Sequence, residues 1–167
     1  METEKREVQA EILEVVNPLE LREEAFLRAL GRVFVTVPRA FEADLIRERG
    51  MSLSGYFTLM HLSEAPDRWM RMSDLAAAAD LSLSGMTRIV QRLEAEGLVR
   101  REKSPCDGRG WNAVLTDSGL SRLRAAWPTH LASVRRHVMN HLKDVDLDPI
   151  TSAMQNFATG QFAPRSE

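Results

Sequence analysis

The chain has little that would mark an enzyme, a membrane protein or an oxidised secreted domain. It contains one cysteine in 167 residues, so no intrachain disulfide can form. A single thiol, Cys106, is what a reducing cytoplasm tolerates, and a cytoplasmic location is the expectation. No apolar run approaches the length of a membrane span. The first residues, METEKREVQAEILEVV, are charged and amphipathic and lack the apolar centre of a signal peptide. There is no phosphate-binding glycine loop, dinucleotide fingerprint, nucleophile elbow or H-E-x-x-H, so no catalytic arrangement stands out and no cofactor is expected. Repeats and low-complexity tracts are absent. Net charge is also small, −2 with a pI of about 6.1, so bulk electrostatics do not advertise a nucleic acid. A protein that binds DNA through one face can still be acidic elsewhere, so the distribution of charge decides.

What is present is a soluble globular composition, 44% apolar and 28% charged, and a length sufficient for a sizeable core. The most informative stretch runs from Met72 to Thr116. Met72 to Ala79 reads as a short alanine-rich helix behind a Ser73-Asp74 start signal, Asp80 to Ser82 as a turn, and Leu83 to Glu96 as a second helix capped by Ser82. Two short helices joined in this way make a helix-turn-helix. Gly97 suits the position just past the second helix. Leu98 to Glu102 and Asn112 to Leu115 then read as strands around a turn-rich, charged loop, Lys103 to Gly110, giving a β-hairpin wing.

At 100° per residue, Met86, Ile89, Val90 and Leu93 share one face of the second helix. Ser84, Arg88, Gln91 and Ala95 share the opposite face, with Thr87 on the flank. That outward face carries hydroxyls, an amide and a guanidinium, and no acid before Glu94. A helix that enters the major groove needs slim residues for close approach and donors for base edges. An ordinary amphipathic surface helix also has a polar outer face, but the acid-free first half, in a chain with more acids than bases, favours DNA.

The run from Ser82 to Arg101, S-x-S-G-M-T-R-x-V-x-R-L-E-x-x-G-L-V-R-R, resembles the MarR family of winged-helix transcriptional regulators. The wing text is similar as well: Asp107, Gly108 and Arg109 followed by Ala113, Leu115 and Thr116 match D-x-R-x-x-x-V-x-L-T except that Ala113 replaces the usual valine. Gly108 stands where many members carry a second arginine. The resemblance is specific through the middle of the chain and extends, as architecture only, from about Pro18 to about Leu142.

The resemblance implies a mainly α fold with a small β-wing, in which long N- and C-terminal helices pair with their copies in a two-fold homodimer. Three segments are expected: dimerisation helices over 1–50, a DNA-binding lobe over 51–116, and dimerisation helices over 117–167. It implies a sequence-specific regulator of transcription, usually a repressor, that reads a near-palindrome in double-stranded DNA. Ser84, Thr87, Arg88 and Gln91 would approach bases. Arg109 would enter the minor groove braced by Asp107, and Ser82, Arg100, Arg101 and Lys103 would serve phosphates. Tyr56, His61 and Trp69 would line a pocket for a small aromatic effector. Trp69 reads first as a packing residue, with stacking in such a pocket as the alternative. The competing reading is a winged-helix scaffold that binds protein without DNA, supported by the acidic pI alone.

The remaining elements follow from periodicity. Glu4 to Val16 reads as a short helix, and Pro18 to Arg49 as a long one with a kink or split at Pro38. Its apolar stripe includes Leu19, Phe26, Leu30, Val33, Phe34, Phe41 and Leu45. Ser52 or Ser54 starts the next helix, with Tyr56, Leu59, Met60 and Leu62 inward, and Pro66 closes it. After Thr116 a helix to about Lys143 carries Leu120, Leu123, Trp127, Leu131, Val134, Val138 and Leu142 along one side. A last helix, Ile150 to about Gln161, turns Ile150, Met154 and Phe157 inward. His130, His137, His141 and Asp144 would fall on nearly one helical face, a weak candidate for a metal. Cys106 has no expected role, since the peroxide-sensing members of the family use a cysteine near the N-terminus.

Overall fold

A computed structural model describes residues 18–103 and 110–159. The chain divides into two units, Met1–Pro38 and Arg39–Glu167. The long helix α1, Leu21–Arg49, begins in the first unit and ends in the second, and Pro38 lies inside it without ending it. Of the kink or split expected at Pro38, the split does not occur. In the first unit the apolar residues Leu21, Phe26, Leu27, Val33, Phe34 and Val35 are exposed. The predicted helix over Glu4 to Val16 lies outside the described residues.

Gly50, at φ +60°, ends α1. Ser52 then caps α2, Leu53–Glu64, by accepting the Gly55 N–H at 3.1 Å. A single 3₁₀ turn, Pro66–Arg68, leads into strand β1, Trp69–Arg71. Helix α3, Met72–Ala78, follows directly. Its cap is Arg71, which supplies no side-chain bond, and Ser73 and Asp74 sit inside the first turn, bonded to one another at 3.1 Å. The start signal read at Ser73-Asp74 is thus two residues late.

Helix α4, Leu83–Ala95, is capped as expected, with the Ser82 hydroxyl accepting the Gly85 N–H at 3.1 Å. Both helices of the pair end alike. After α3, Asp80 adopts φ +51° while the Asp80 and Leu81 N–H groups return to the carbonyls of Ala77 and Ala76. After α4, Gly97 adopts φ +71°, with Gly97 returning to Glu94 and Leu98 to Leu93. This double return satisfies the last carbonyls and turns the chain sharply, using one left-handed residue each time.

Strands β2, Val99–Lys103, and β3, Trp111–Leu115, form the predicted wing hairpin. β1 joins it, giving an antiparallel sheet of order β1-β3-β2 in which Met70 opposes Ala113 and Arg101 opposes Ala113 from the other side. Ala113 is completely buried at the centre of that sheet. The core is formed by Leu45 of α1, Tyr56, Leu59 and Leu62 of α2, Leu75 of α3, and Met86, Val90 and Leu93 of α4, with Val99, Leu115, Leu123 and Ala126 completing it.

Helix α5, Asp117–His137, is capped by Thr116, whose hydroxyl accepts the Gly119 N–H at 3.0 Å. Gly119 packs so closely that a Cβ would stand 2.1 Å from the Leu98 carbonyl oxygen. The face of α5 that packs inward is Gly119, Leu123, Ala126, Thr129 and Ser133. Of the stripe expected along one side, Leu123 is buried while Trp127 and Leu131 are exposed. α5 ends at His137 rather than near Lys143, because Val138 leaves helical geometry at φ −129°, ψ −68° and a 3₁₀ turn, Met139–His141, follows. The last helix, α6, spans Leu147–Thr159. Ile150 is half-buried, whereas Met154 and Phe157, expected inward, are exposed.

Candidate nucleic-acid interface

Helix α4 divides cleanly. Met86, Val90 and Leu93 are buried and hold it to the core, and Ile89 packs at the margin. Ser84, Arg88 and Gln91 are exposed. Arg88 and Gln91 make no hydrogen bond or ion pair among the described residues, so their donors are free for an outside partner. The Ser84 and Ser82 hydroxyls lie 3.1 Å apart at the start of the helix. Thr87 donates its proton to the Leu83 carbonyl at 2.7 Å, which fixes its rotamer and leaves oxygen lone pairs and a methyl group outward. The first turn holds no acid.

The wing cations differ in availability. Lys103 is exposed and unpaired among the described residues. Arg100 is exposed, with Glu102 at 2.6 Å from its Nε. Such an exposed pair is held weakly and can open toward a phosphate. Arg101 is instead committed to the fold. Its Nε donates to Glu94 at 2.7 Å, its backbone N–H donates to the other oxygen of the same carboxylate at 3.0 Å, and its guanidinium lies 5.7 Å from the centre of the Trp111 ring. It braces β2 against α4. Cys106, Asp107 and Arg109 lie outside the described residues. Sequence reasoning passed over Arg71 and Ser73, which line a cavity of about 230 Å³ with Leu83, Thr87, Arg101 and Trp111, beside the first turns of α4. An arginine just ahead of the helix-turn-helix was the available signal.

The three residues expected to line one effector pocket are separated. His61 and Trp69 border a cavity of about 480 Å³ with Glu64, Pro66, Arg71 and Asp74. Tyr56 does not reach it. Its ring is fully buried, 4.6 Å from that of His130 and 5.6 Å from that of Phe57, because the inward face of α2 is the face it occupies. Burial, with the Glu64 charge adding to it, pushes its phenol up to about 12. Burial also pushes the His130 imidazole down. The Tyr56 hydroxyl and His130 Nδ1 have no hydrogen-bond partner among the described residues.

The histidine face does not assemble. His130 sits edge-on to Phe41 at 5.4 Å, His137 turns to Asp44 at 3.1 Å, and His141 and Asp144 lie exposed beyond the end of the helix that was to align them. Among the described residues no three histidine, cysteine or carboxylate side chains are placed to hold a metal ion. The partner of His137 was not foreseen. Asp44, buried between α1 and α5, lies within 2.7 Å of the Ser133 hydroxyl and 2.6 Å of Arg47, with Arg136 at 3.4 Å. The Ser133 hydroxyl bond, opposed by burial and reinforced by Arg47 and His137, holds its carboxyl well below the usual range, at about 2. An acid one position before Leu45 on an otherwise apolar stripe was the only hint.

A helix pair whose second member shows an unpaired polar face, followed by a three-stranded wing, defines the winged helix-turn-helix class. The MarR family pattern matches residues 49–110. The structure is similar to that of Sco3205 from Streptomyces coelicolor, a MarR family transcriptional regulator solved in complex with DNA: TM-score 0.81, 32% identity, 90% of this chain and 95% of that one covered. It is similar also to AbsC, a MarR family transcriptional regulator from the same organism: TM-score 0.70, 36% identity, 84% and 99% covered. By sequence it is 28% identical over 100 residues to the transcriptional repressor YetL of Bacillus subtilis (strain 168), covering 60% of this chain and 59% of that protein. The match to a putative regulatory protein for the hcr operon of Thauera aromatica covers 55% of its length, so this chain spans little more than half of these curated relatives. The chain belongs to the MarR family of transcriptional regulators. That membership makes it a regulatory protein and not an enzyme.

Proposed function

We propose that this protein is a cytoplasmic, homodimeric repressor that binds a near-palindromic operator in double-stranded DNA, with α4 in the major groove and the wing hairpin at the adjacent minor groove. The observation that carries the reading is the outward face of α4, where Arg88 and Gln91 stand exposed and unpaired among the described residues beside Ser84 and Thr87. Arg88 is placed to reach a base edge. Lys103, Arg100, Arg71 and the cap hydroxyl of Ser82 serve phosphates, and Arg109, flanked by Gly108 and Gly110, supplies the minor-groove contact braced by Asp107. The DNA-bound structure of Sco3205 supports the choice of partner. The exposed apolar residues of α1 and α6, Phe26, Phe34, Met154 and Phe157 among them, support a second copy as the surface that covers them. The cavity beside His61 and Trp69 is the place for a small aromatic effector, whose binding would shift the population of DNA-competent dimers.

The test is selection of bound duplexes from a random library, followed by titration of the best operator at two salt concentrations. Phosphate contacts release counterions, so affinity should fall steeply with salt. Arg88→Ala should cost about 1–3 kcal/mol on that operator and less on single-base variants. Binding that is absent, or indifferent to sequence and salt, overturns the reading in favour of a scaffold that docks protein.

A further inference from the structure

Three helices meet on the first turn of α2, and they meet through polar contacts. The Ser52 hydroxyl accepts the Gly55 N–H at 3.1 Å and so caps α2. The Glu42 carboxylate, on α1, accepts the Leu53 N–H of the same turn. From the other side Arg92 Nη2, on α4, donates to the Ser52 hydroxyl oxygen at 2.8 Å. Two of the four N–H groups that a helix start leaves without partners are thus answered, one from α2's own cap and one from α1, while α4 is tied to the cap itself. Packing and polar contacts meet at this joint. A Cβ on Gly55 would stand 3.6 Å from Leu93 Cδ2, in ordinary contact, and beside it lies a cavity of about 290 Å³ bordered by Glu42, Ile46, Ser52, Arg92 and Glu96. Behind it the end of α1 is held to α5, where Arg49 Nε donates to the Thr129 hydroxyl at 2.8 Å and Arg122 donates to the Arg49 carbonyl.

We infer that Arg92 is a positioning residue: by holding the Ser52 cap it sets the angle of α4 against the α1–α2 joint, and so the spacing of the two DNA-reading helices in the dimer. Arg92 is exposed, in the last turn of α4. Arg92 lies on the flank of the reading face, one turn beyond Arg88, and its side chain reaches the α2 cap. A helix already held in the binding orientation loses less freedom on binding, and that saving appears as affinity when both half-sites must be met at once. A single half-site makes no such demand, because one lobe can rotate to meet it. The inference rests on the DNA reading above and concerns only how its geometry is kept.

The experiment compares wild type, Arg92→Ala, Arg92→Lys and Ser52→Thr on three duplexes: the selected operator, one isolated half-site, and operators with the half-sites moved one base pair closer or farther. The loss of one such bond predicts operator binding weakened about fivefold by Arg92→Ala. Half-site affinity and the salt slope should be unchanged, and the preference for the natural spacing should flatten. Arg92→Lys, which keeps a donor, should recover part of the loss, and Ser52→Thr, which keeps the hydroxyl, should behave as wild type. If Arg92→Ala weakens the half-site equally and lowers the salt slope by about one, Arg92 contacts a phosphate and the inference is wrong. Unchanged operator affinity and spacing preference also overturn it. Wild-type protein that binds no DNA ends the DNA reading and this inference together, which the wild-type titration shows by itself.

Discussion

Replacing Asp44 by asparagine should remove about 2 kcal/mol of stability at neutral pH, and the loss should vanish in acid. Asp44 is 5% exposed and lies between the C-terminal half of α1 and the C-terminal half of α5. The Ser133 hydroxyl at 2.7 Å, the Arg47 guanidinium at 2.6 Å and His137 Nε2 at 3.1 Å all favour its charged form. Burial works the other way and is overcome, leaving the carboxyl at about 2 instead of its ordinary 3.8. Each tenfold change in a proton equilibrium is about 1.4 kcal/mol, so this difference corresponds to about 2 kcal/mol in favour of the folded state. Because the folded value is the lower one, the contribution is complete above the unfolded value of 3.8 and is lost as pH falls toward 2. The amide of the Asp44→Asn variant carries no charge to lose. Urea unfolding of both proteins at one protein concentration, at pH 7, 4.5, 3.5 and 2.5, isolates the group as the difference between the two curves, since every other carboxylate titrates in both. Holding concentration fixed matters because association adds to the apparent stability of a dimer. A wild-type advantage of about 2 kcal/mol that persists undiminished at pH 2.5 would refute the electrostatic account, and no advantage at pH 7 would refute the role of the site altogether.

Gly119→Ala should destabilise the fold by about 3 kcal/mol or more, visible as a large drop in thermal midpoint, because its Cβ would meet a backbone carbonyl at 2.1 Å and Leu115 Cδ1 at 2.7 Å, and backbone cannot step aside as a side chain can. The phenol of Tyr56, the chain's one tyrosine, should ionise near 12 rather than 10, so an absorbance titration at about 295 nm should stay flat through pH 10.5, and a midpoint at 10 would place the ring in water. Tyr56→Phe should leave stability unchanged or raise it slightly, since the hydroxyl is buried without a partner among the described residues, and a loss above about 1 kcal/mol would reveal a bond that the geometry does not contain. Ser82→Ala should cost about 1 kcal/mol through the lost cap on α4, and Ser82→Asp should recover it in a melting experiment without DNA.

The middle of the fold was legible because each of its signals is local. The Ser82 cap needs only the Gly85 N–H three residues on, and Gly97 needs only φ +71° and the carbonyls of Leu93 and Glu94. The period of Met86, Val90 and Leu93 assigned the buried face of α4 because one stripe of that helix is apolar and the other is not. The start of α3 at Met72 was read correctly but its cap was not: Ser73 and Asp74 have the right chemistry for one, while the chain enters that helix straight from a strand and Arg71 takes the position without a side-chain bond. The Asp44 cluster was illegible for the opposite reason. Its partners Ser133, Arg136 and His137 are about ninety residues away, and no local pattern announces that a buried acid will be met by a hydroxyl, two guanidinium groups and an imidazole.

Periodicity reports that a face is apolar, and the step from apolar to inward assumes that the same chain supplies the cover. On α5, Leu123 of the expected stripe is buried and Trp127 and Leu131, four and eight residues on, are exposed, while the surface meeting the core runs through Ala126, Thr129 and Ser133. A helix with small residues on its packed side and large apolar ones beside it carries two faces of use, and the moment of the sequence points between them. On α6 the stripe of Met154 and Phe157 is real, yet both residues are exposed among the described residues. The reading of α6 was therefore right that the stripe is apolar and wrong that Met154 and Phe157 turn inward. Apolar area left in water costs about 25 cal/mol per Å², so stripes of this length are a strong reason to expect cover, and the second copy proposed above is the candidate.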